Sequence, residues 1–307
     1  MLPIHFAPLQ GYTEDAYRRL HHELCGGVDV YYTPFVRIEN NEVRSKDLRD
    51  LDPKNNEGMP LTPQIIANGE REMRQLLDVI LPMGYSSIDI NMGCPFPLQT
   101  RHARGAGILP RPERIEELCK GILSYPDVSF SIKMRLGLDS CDEWREVLPI
   151  LNEVPLRHIT LHPRIGRQQY KGEADTTVLS DFIEKSAHPV IYNGDLCTLQ
   201  QLHAIEHDFP SLAGLMLGRG LLARPTLAQE YKQGYEMSAD ERLQNVRRIH
   251  DRLLAHYDKV IPGEAQRLAK IRTFWDYMEA ELGRKPWKKI MKAGNMKNYL
   301  AAVAEAI

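Results

Sequence analysis

Short apolar runs alternate with amphipathic stretches between residues 4 and 217. Runs that are apolar at nearly every position are typical of parallel strands buried on both faces. They predict strands at residues 4–7, 28–36, 64–67, 87–91, 129–134, 158–162, 190–193 and 214–217. The stretches between them carry helical spacing, which predicts helices at residues 13–24, 70–81, 113–123, 143–151, 177–185 and 199–208.

Alternating strands and helices require a parallel sheet, since each helix carries the chain back to the start of the next strand. Eight strands over this length fit a (β/α)₈ TIM barrel of ordinary size. A doubly wound open sheet is the competing α/β fold. Polar motifs at the end of nearly every predicted strand favour the barrel, because a barrel gathers all its strand ends at one mouth.

The strand pattern stops after the eighth strand, and the rest of the chain is helical in pattern. Apolar residues recur at three- and four-residue spacing, as at Val246, Ile249 and Leu253. A Pro-Gly pair and a later glycine separate the predicted helices. We therefore expect a catalytic barrel at residues 1–236, followed by a small all-helical C-terminal domain at residues 237–307.

Charge is distributed unevenly between these two parts. Residues 240–307 carry 14 Lys and Arg against 9 Asp and Glu, whereas residues 1–239 carry 25 against 32. A basic tail on an acidic body suggests that a polyanion contacts the tail. A solvated helical surface would have the same composition, so charge alone leaves both interpretations open.

Composition excludes several classes of protein. The chain has 307 residues, 43% of them hydrophobic, which is enough for one large core. Its five cysteines form no CxxC pair, so neither a disulfide framework nor a zinc site is indicated. No HExxH or GxxxxGK[ST] motif is present, which leaves metal hydrolases and nucleoside-triphosphate enzymes without support. The start resembles no signal peptide and no apolar stretch reaches membrane length, so we expect a cytoplasmic protein.

The end of the fourth predicted strand gives the sharpest chemical signal. Asn91 ends the strand, Gly93 permits a tight turn, and Cys94 projects from the start of the loop. Most free cysteines are small buried hydrophobes, but barrel enzymes place their chemistry at strand ends. A thiol with a pKa near 8.5 is mostly protonated at neutral pH. Cys94 is therefore a candidate proton donor.

Other strand ends also carry polar or small residues. They are Pro8, Leu9 and Gln10 after the first strand, Gln64 in the third, Lys133 and Arg135 in the fifth, His162 in the sixth, Asn193, Gly194 and Asp195 after the seventh, and Gly218 and Arg219 after the eighth. Lys133 should point into the barrel mouth, where it requires an anionic partner. The loops after strands seven and eight often bind phosphate in barrels, and small residues there suit a phosphate monoester.

The strand ends carry five motifs in the order NMGCP, KMRLG, HPR, YNGD and LGRG. They resemble those of the tRNA-dihydrouridine synthase family, and the resemblance covers about residues 3–225. It implies an oxidoreductase that uses FMN and NADPH to reduce the C5–C6 double bond of specific uridines in tRNA, with Cys94 giving the proton to C5. It also implies FMN contacts from Pro8, Leu9, Gln10, Gln64, Asn91, Lys133, His162, Asn193, Gly194, Asp195, Gly218 and Arg219.

The implied RNA contacts are basic residues of the fourth and fifth strand-end loops and of the tail. They are Arg101, His102, Arg104, Arg135, Lys288, Lys289 and Lys292. Trp275, Trp287 and Tyr299 lie among the basic residues of the tail and could join them, although helix packing is the better interpretation for Trp275. We expect tRNA as the partner, no membrane association and a monomer.

The sequence departs from the family pattern at positions that face RNA. Family members commonly carry Lys shortly after the catalytic Cys-Pro, where this chain has Phe96. Pro163 replaces the usual glycine between His and Arg, and Thr176 replaces a frequent Trp. The target nucleotide is therefore left open.

Three alternatives to a tRNA enzyme remain. One is a small-molecule FMN barrel of the dihydroorotate dehydrogenase type, which would have no need of a basic tail. A second is a dihydrouridine synthase that acts on rRNA. The third is a non-catalytic RNA-binding module, against which the presence of both Cys94 and Lys133 argues.

Overall fold

A computed structural model describes all of residues 1–307. The strands are β1 (Ile4–Phe6), β2 (Val30–Tyr32), β3 (Ile38–Glu39), β4 (Glu42–Val43), β5 (Leu61–Thr62), β6 (Gln64–Ile65), β7 (Ser87–Met92), β8 (Ser129–Gly137), β9 (Leu156–Ile165), β10 (Val190–Tyr192) and β11 (Gly214–Leu217). The helices are α1 (Asp15–Leu24), α2 (Ser45–Leu51), α3 (Glu70–Ile80), α4 (Pro97–Thr100), α5 (Pro112–Leu123), α6 (Trp144–Asn152), α7 (Leu179–Lys185), α8 (Leu199–Asp208), α9 (Arg219–Ala223), α10 (Leu227–Gln233), α11 (Ala239–Val260), α12 (Glu264–Arg272), α13 (Glu279–Leu282), α14 (Arg284–Met291) and α15 (Met296–Ala306).

Nine parallel strands form the barrel in the order β5-β2-β1-β11-β10-β9-β8-β7-β6. The two ends of this order, β5 and β6, are halves of one extended segment, separated only by Pro63. Proline lacks an N–H group and interrupts the ladder at this point. Because β5 pairs with β2 and β6 pairs with β7, this one segment joins both ends of the sheet. The predicted TIM barrel is confirmed.

Many polar side chains lie inside the barrel, beside a small apolar cluster that is separate from the main core. Along β7, Ile88 and Ile90 are fully buried in the main apolar core, whereas Asp89 between them takes part in an internal hydrogen-bond network. Elsewhere in the barrel, His5 Nδ1 lies 2.8 Å from the Tyr32 hydroxyl. Burial lowers the pKa of His5 to about 3. The imidazole of His5 is therefore neutral at physiological pH.

The sequence pattern gave no element between β2 and β5, where the structure has the antiparallel hairpin β3–β4 and helix α2. The hairpin turns at Asn40 and Asn41, whose φ angles are 53° and 65°. Asparagine tolerates this left-handed region, so the Asn-Asn pair is the signal that could have revealed the hairpin. Strands of two residues are too short to show any periodicity.

The tail begins with a capped helix that packs on the barrel. Ser238 accepts a hydrogen bond from the Glu241 N–H, and Glu241 completes a capping box at the start of α11. Helix α11 contacts α1, and the predicted apolar positions Val246, Ile249 and Leu253 are buried. These residues belong to the same core cluster as the apolar residues of the barrel. None of the helices has the length and apolar character needed to cross a membrane.

Candidate active site

A cavity of about 330 Å³ opens at the carboxyl ends of the barrel strands. All the residues predicted to contact FMN line it except Gln64. They are Pro8, Leu9, Gln10, Asn91, Lys133, His162, Asn193, Gly194, Asp195, Gly218 and Arg219. Cys94 and Arg135 line the same cavity, so the structure gathers the strand-end motifs into one site.

Gln64 lies behind this surface and fixes the orientation of Asn91. The Asn91 amide donates to Gln64 Oε1 at 2.8 Å, and Gln64 Nε2 donates to Asp89 Oδ2 at 2.7 Å. The Asn91 side-chain oxygen accepts the backbone N–H of Cys94 at 2.9 Å. Asp89 also accepts from the Ser131 hydroxyl at 2.6 Å. This chain of hydrogen bonds connects the barrel interior to the backbone that carries the thiol.

Cys94 is buried at the inner end of a rigid loop. Its carbonyl accepts the Ala106 N–H at 2.9 Å. Gly105 packs so closely that a Cβ atom there would lie 2.6 Å from the Cys94 carbonyl oxygen, and its φ of 58° favours glycine. Burial raises the pKa of the thiol, although the charges of Arg135 and Lys133 act in the opposite direction. Cys94 is therefore a thiol at neutral pH, as a proton donor must be.

Two cations lie within the cavity beside Cys94. Burial, followed by repulsion from Arg135, lowers the pKa of Lys133 to about 8, while the Asp89 carboxylate acts in the opposite direction. Arg135 donates from Nε to the Gly93 carbonyl at 2.9 Å and from Nη1 to the Ile165 carbonyl at 3.0 Å. Of the predicted RNA contacts, Arg135 thus lies inside the cavity, where it positions the Cys94 loop.

His162 is an uncharged acceptor in this site. Burial, together with the nearby charge of Arg135, holds the pKa of His162 well below its usual value. Its Nε2 atom lies 3.0 Å from Arg164 Nη1. A guanidinium has only donors, so Nε2 must accept and the ring proton resides on Nδ1. The Nδ1–H is then the group that His162 can offer to a ligand.

The turns after β10 and β11 form a cradle for an anion. Gly194, Asp195 and Gly218 lie outside helices and strands, and their backbone N–H groups donate to no protein acceptor. A Cβ atom on Gly194 would lie 2.7 Å from the Tyr192 hydroxyl, so only glycine fits there. The Asp195 carboxylate accepts from the Arg219 guanidinium at 2.8 Å. Small residues, free N–H groups and a guanidinium are what a phosphate monoester requires.

Asp195 organises the cations of this cradle. Its carboxylate accepts from both Arg164 and Arg219. Burial alone would raise the pKa of Asp195, but the hydrogen bond and charge of Arg164, with the charge of Arg219, hold it below its usual value. The carboxylate thus stays ionised, and it orients two guanidinium groups at the edge of the cradle.

The tail contributes directly to the site, which sequence reasoning did not anticipate. Tyr277 lines the cavity and lies against Tyr12, with ring centroids 5.3 Å apart. The Tyr12 hydroxyl donates to Asp276 at 2.9 Å, and Lys270 donates to the Gly11 carbonyl at 2.9 Å. The loop after β1 is therefore held by residues of α12 and of the segment between α12 and α13. No sequence motif connects segments so far apart.

The other basic candidates occupy different environments. Arg101 and His102 are exposed, whereas Arg104 forms a largely buried ion pair with Glu72 at 2.6 Å. Lys288 and Lys292 are exposed in the tail.

Lys289 is also exposed, and it pairs with Glu305.

Among the aromatic residues of the tail, Trp275 and Tyr299 are both fully buried, and the Trp275 indole donates to the Tyr299 hydroxyl at 2.8 Å. The expectation that Tyr299 contacts RNA was wrong, because its ring packs between helices.

Fold and site together define a class of protein. A TIM barrel with an anion cradle after its last two strands, and with a protonated thiol beside a half-buried lysine, is arranged as an oxidoreductase that holds a phosphorylated ring cofactor. A model of the family "Dihydrouridine synthase (Dus)" matches residues 5–307. The chain therefore belongs to the dihydrouridine synthase family, oxidoreductases that convert uridine to dihydrouridine.

Several curated proteins are similar to this chain over most of its length. The tRNA-dihydrouridine(16) synthase of Neisseria meningitidis serogroup A is 30% identical, over 74% of this chain and 70% of that protein. A probable tRNA-dihydrouridine synthase of Treponema pallidum is 26% identical, over 99% of this chain and 92% of that protein. The tRNA-dihydrouridine synthase B of Yersinia pestis is 25% identical, over 89% and 86%.

Solved structures with the same fold are far more distant in sequence. Morphinone reductase in complex with tetrahydroNAD matches with a TM-score of 0.56 at 9% identity, covering 76% of this chain and 87% of that one. Histamine dehydrogenase from Rhizobium sp. 4-9 matches with a TM-score of 0.55 at 13% identity, covering 88% and 48%. At such low sequence identities these matches support the barrel fold alone.

Proposed function

We propose that this protein reduces the C5–C6 double bond of specific uridines in tRNA, with FMN as its bound cofactor and NADPH as the reductant. The observation that carries the proposal is that Cys94, Lys133 and the anion cradle share one cavity. Membership of the dihydrouridine synthase family supports uridine as the reacting group. The names of the relatives support tRNA as the molecule that presents it.

The residues of the cavity suit FMN. The turns at residues 193–195 and 218–219 would hold its phosphate through free N–H groups and the Arg219 guanidinium. Asn91 and Lys133 would face its ring, and residues 8–10 would line it on the side of β1. When bound, FMN supplies the hydride that uracil accepts at C6.

Cys94 would supply the matching proton. Once C6 has gained a hydride, negative charge develops at C5, and this carbon takes the proton from the thiol as the S–H bond breaks. The thiolate that remains lies beside Arg135 and Lys133, whose positive charges favour it and partly offset the rise in the thiol pKa that burial causes. Because the loop is rigid, the thiol would need little reorganisation to reach the base.

Lys133 would supply positive charge where the reduced cofactor carries negative charge. Loss of solvent in the cavity disfavours the charged form of this ammonium and lowers its pKa to about 8. An anionic ring edge would therefore gain strongly from pairing with it.

The two parts of the chain would divide the work. The barrel, residues 1–236, would bind FMN and catalyse the reduction, and the helical domain, residues 237–307, would hold the RNA. A uridine must leave the base stack to reach a cavity of this kind. Lys288, Lys289 and Lys292 are exposed and would contact phosphates, as would the exposed Arg101 and His102, which follow Cys94 along the chain. The five cysteines are all free, which suits a reducing, cytoplasmic location, and we propose that the protein acts as a monomer.

The proposal is tested by mapping dihydrouridine in total RNA from cells with and without the gene, and by incubating the purified protein with NADPH and an unmodified tRNA transcript. Loss of dihydrouridine at defined tRNA positions, and its appearance in the transcript, are expected. The purified protein should be yellow and release FMN on denaturation. Loss of dihydrouridine confined to rRNA would show that rRNA, and not tRNA, is the substrate. A colourless protein that takes up no added FMN would contradict the proposal.

A further inference from the structure

Two large apolar side chains stand exposed next to the active-site cavity. The side chain of Phe96 is 61% exposed and that of Leu98 is 72% exposed. Phe96 also lines the cavity itself, two residues beyond Cys94. Phe96 is also one of the positions at which the sequence departs from the family pattern. Exposed apolar side chains beside a functional cavity mark a contact surface more often than isolated ones elsewhere do.

The backbone presents these side chains rigidly. Phe96 lies between Pro95 and Pro97, and its φ of −67° and ψ of 133° are the extended values that a following proline enforces. Its carbonyl accepts the N–H groups of Gln99 and Thr100 at 2.8 and 3.0 Å. A Cβ atom on Gly107 would lie 2.5 Å from Thr100 Cα, so the backbone at Gly107 packs closely against the end of this loop as well. A loop whose backbone is held this way loses little entropy when it binds.

Basic groups continue the same surface. Arg101 and His102 follow directly on the loop and are exposed. Apolar or aromatic side chains next to positive charge are the combination that binds unpaired nucleic acid, since bases stack on the former while phosphates pair with the latter. A protein partner or a second copy seated here would cover the mouth through which the substrate must enter.

We propose that Phe96 and Leu98 form an apolar wedge that contacts the nucleobase next to the uridine drawn into the cavity. This inference rests on the proposed function, because it takes RNA as the molecule at the mouth. The wedge would stabilise the RNA with that uridine out of the stack, since it offers the neighbouring base a new surface in place of its former stacking partner.

The test compares the affinity of wild type and variants for an unmodified tRNA transcript over a range of salt concentrations. Phe96→Ala is expected to weaken binding roughly five- to a hundredfold, the range for removing the partner of one stacked base. Phe96→Trp should bind as tightly as wild type. Leu98→Ala should weaken binding less than Phe96→Ala does. Because the wedge is apolar, the slope of affinity against salt should not change. Melting temperature should also stay unchanged, because the side chains are already exposed.

Leu123→Ala is the matched control. Leu123 is 57% exposed at the carboxyl end of α5, which leads into the start of β8 and so lies on the opposite face of the barrel. This variant should bind tRNA as wild type does.

Three results would overturn the wedge. Wild-type affinity in both Phe96→Ala and Leu98→Ala, with dihydrouridine still formed by the wild type, would refute it and leave the proposed function standing. A wild-type protein that neither binds nor modifies tRNA would refute both. A wild-type dimer that Leu98→Ala dissociates would assign the surface to a second copy instead.

Discussion

At the scale of single residues, Cys94 carries the sharpest prediction. Cys94→Ala should still bind FMN and still be reduced by NADPH, because neither step uses the thiol. The rate at which unmodified tRNA reoxidises the pre-reduced flavin should fall roughly a hundred- to ten-thousandfold, the usual cost of removing a general acid. Cys94→Ser should keep part of the rate. The measurement is anaerobic stopped-flow absorbance, and an unchanged rate in Cys94→Ala would remove Cys94 from the mechanism.

Lys133 gives a prediction for stability as well as for activity. The pKa of its ammonium is lowered to about 8 in the folded protein, from about 10.4 in an unfolded chain. The folded state is therefore penalised below pH 8, and the penalty fades as pH rises from 8 towards 10.4. Lys133→Met should raise the melting temperature of the FMN-free protein at pH 7, with the gain shrinking above pH 8.

Flavin reduction by NADPH supplies the second measurement on Lys133→Met. The rate should fall, because the reduced ring no longer has its cation. An unchanged reduction rate would contradict the role of Lys133 as the cation that pairs with the reduced ring. A stability gain that does not depend on pH would contradict the lowered pKa of its ammonium.

Strand-end residues such as Asn91 and Lys133 could be placed from the sequence, because a barrel gathers the ends of all its strands at one mouth. Tyr12 and Tyr277 could not. Their positions follow from how the tail docks on the β1 loop, which no local pattern records. The burial of Tyr299 was missed for a related reason, since an aromatic residue among lysines has the same sequence context in a core as on a surface.

At the scale of elements, the turns around the anion cradle depend on close backbone packing. A Cβ atom on Gly220, at the start of α9, would lie 2.0 Å from the Leu196 carbonyl oxygen, so the two turns would have to separate. Gly220→Ala should therefore lower the FMN content of the purified protein. Gly294→Ala is the control, since nothing lies within 4 Å of its added Cβ atom. Equal FMN-to-protein ratios, measured by absorbance after denaturation, would show that this packing is not needed.

Long elements were predicted well because each carries several turns or several buried positions. Helix α8 was predicted at its observed bounds, Leu199–Asp208, and β8 was found although it extends to Gly137. The hairpin β3–β4 and helix α2 were missed. They form a short excursion between two barrel strands, and their sequence lacks the apolar periodicity that burial on two faces produces.

At the scale of the whole molecule, the basic tail predicts how tRNA affinity responds to salt. Replacing Lys288, Lys289 and Lys292 by Glu should weaken binding and reduce the salt slope by about one for each phosphate that the tail no longer neutralises. The matched control replaces Lys54, Lys120 and Lys185, which are exposed on the barrel, by Glu. Equal affinity and slope in the tail variant and wild type would place the RNA-binding surface elsewhere.

The contacts between the tail and the β1 loop limit how this architecture can be recombined. Lys270 holds the Gly11 carbonyl and Asp276 holds the Tyr12 hydroxyl, so the tail and residues 8–12 are fitted to each other. Exchanging tails between relatives to alter which RNA is recognised would separate these partners and disturb the loop that lines the cavity. A chimera should stay active only if the graft carries both segments, so in evolution and in engineering they form one exchangeable unit.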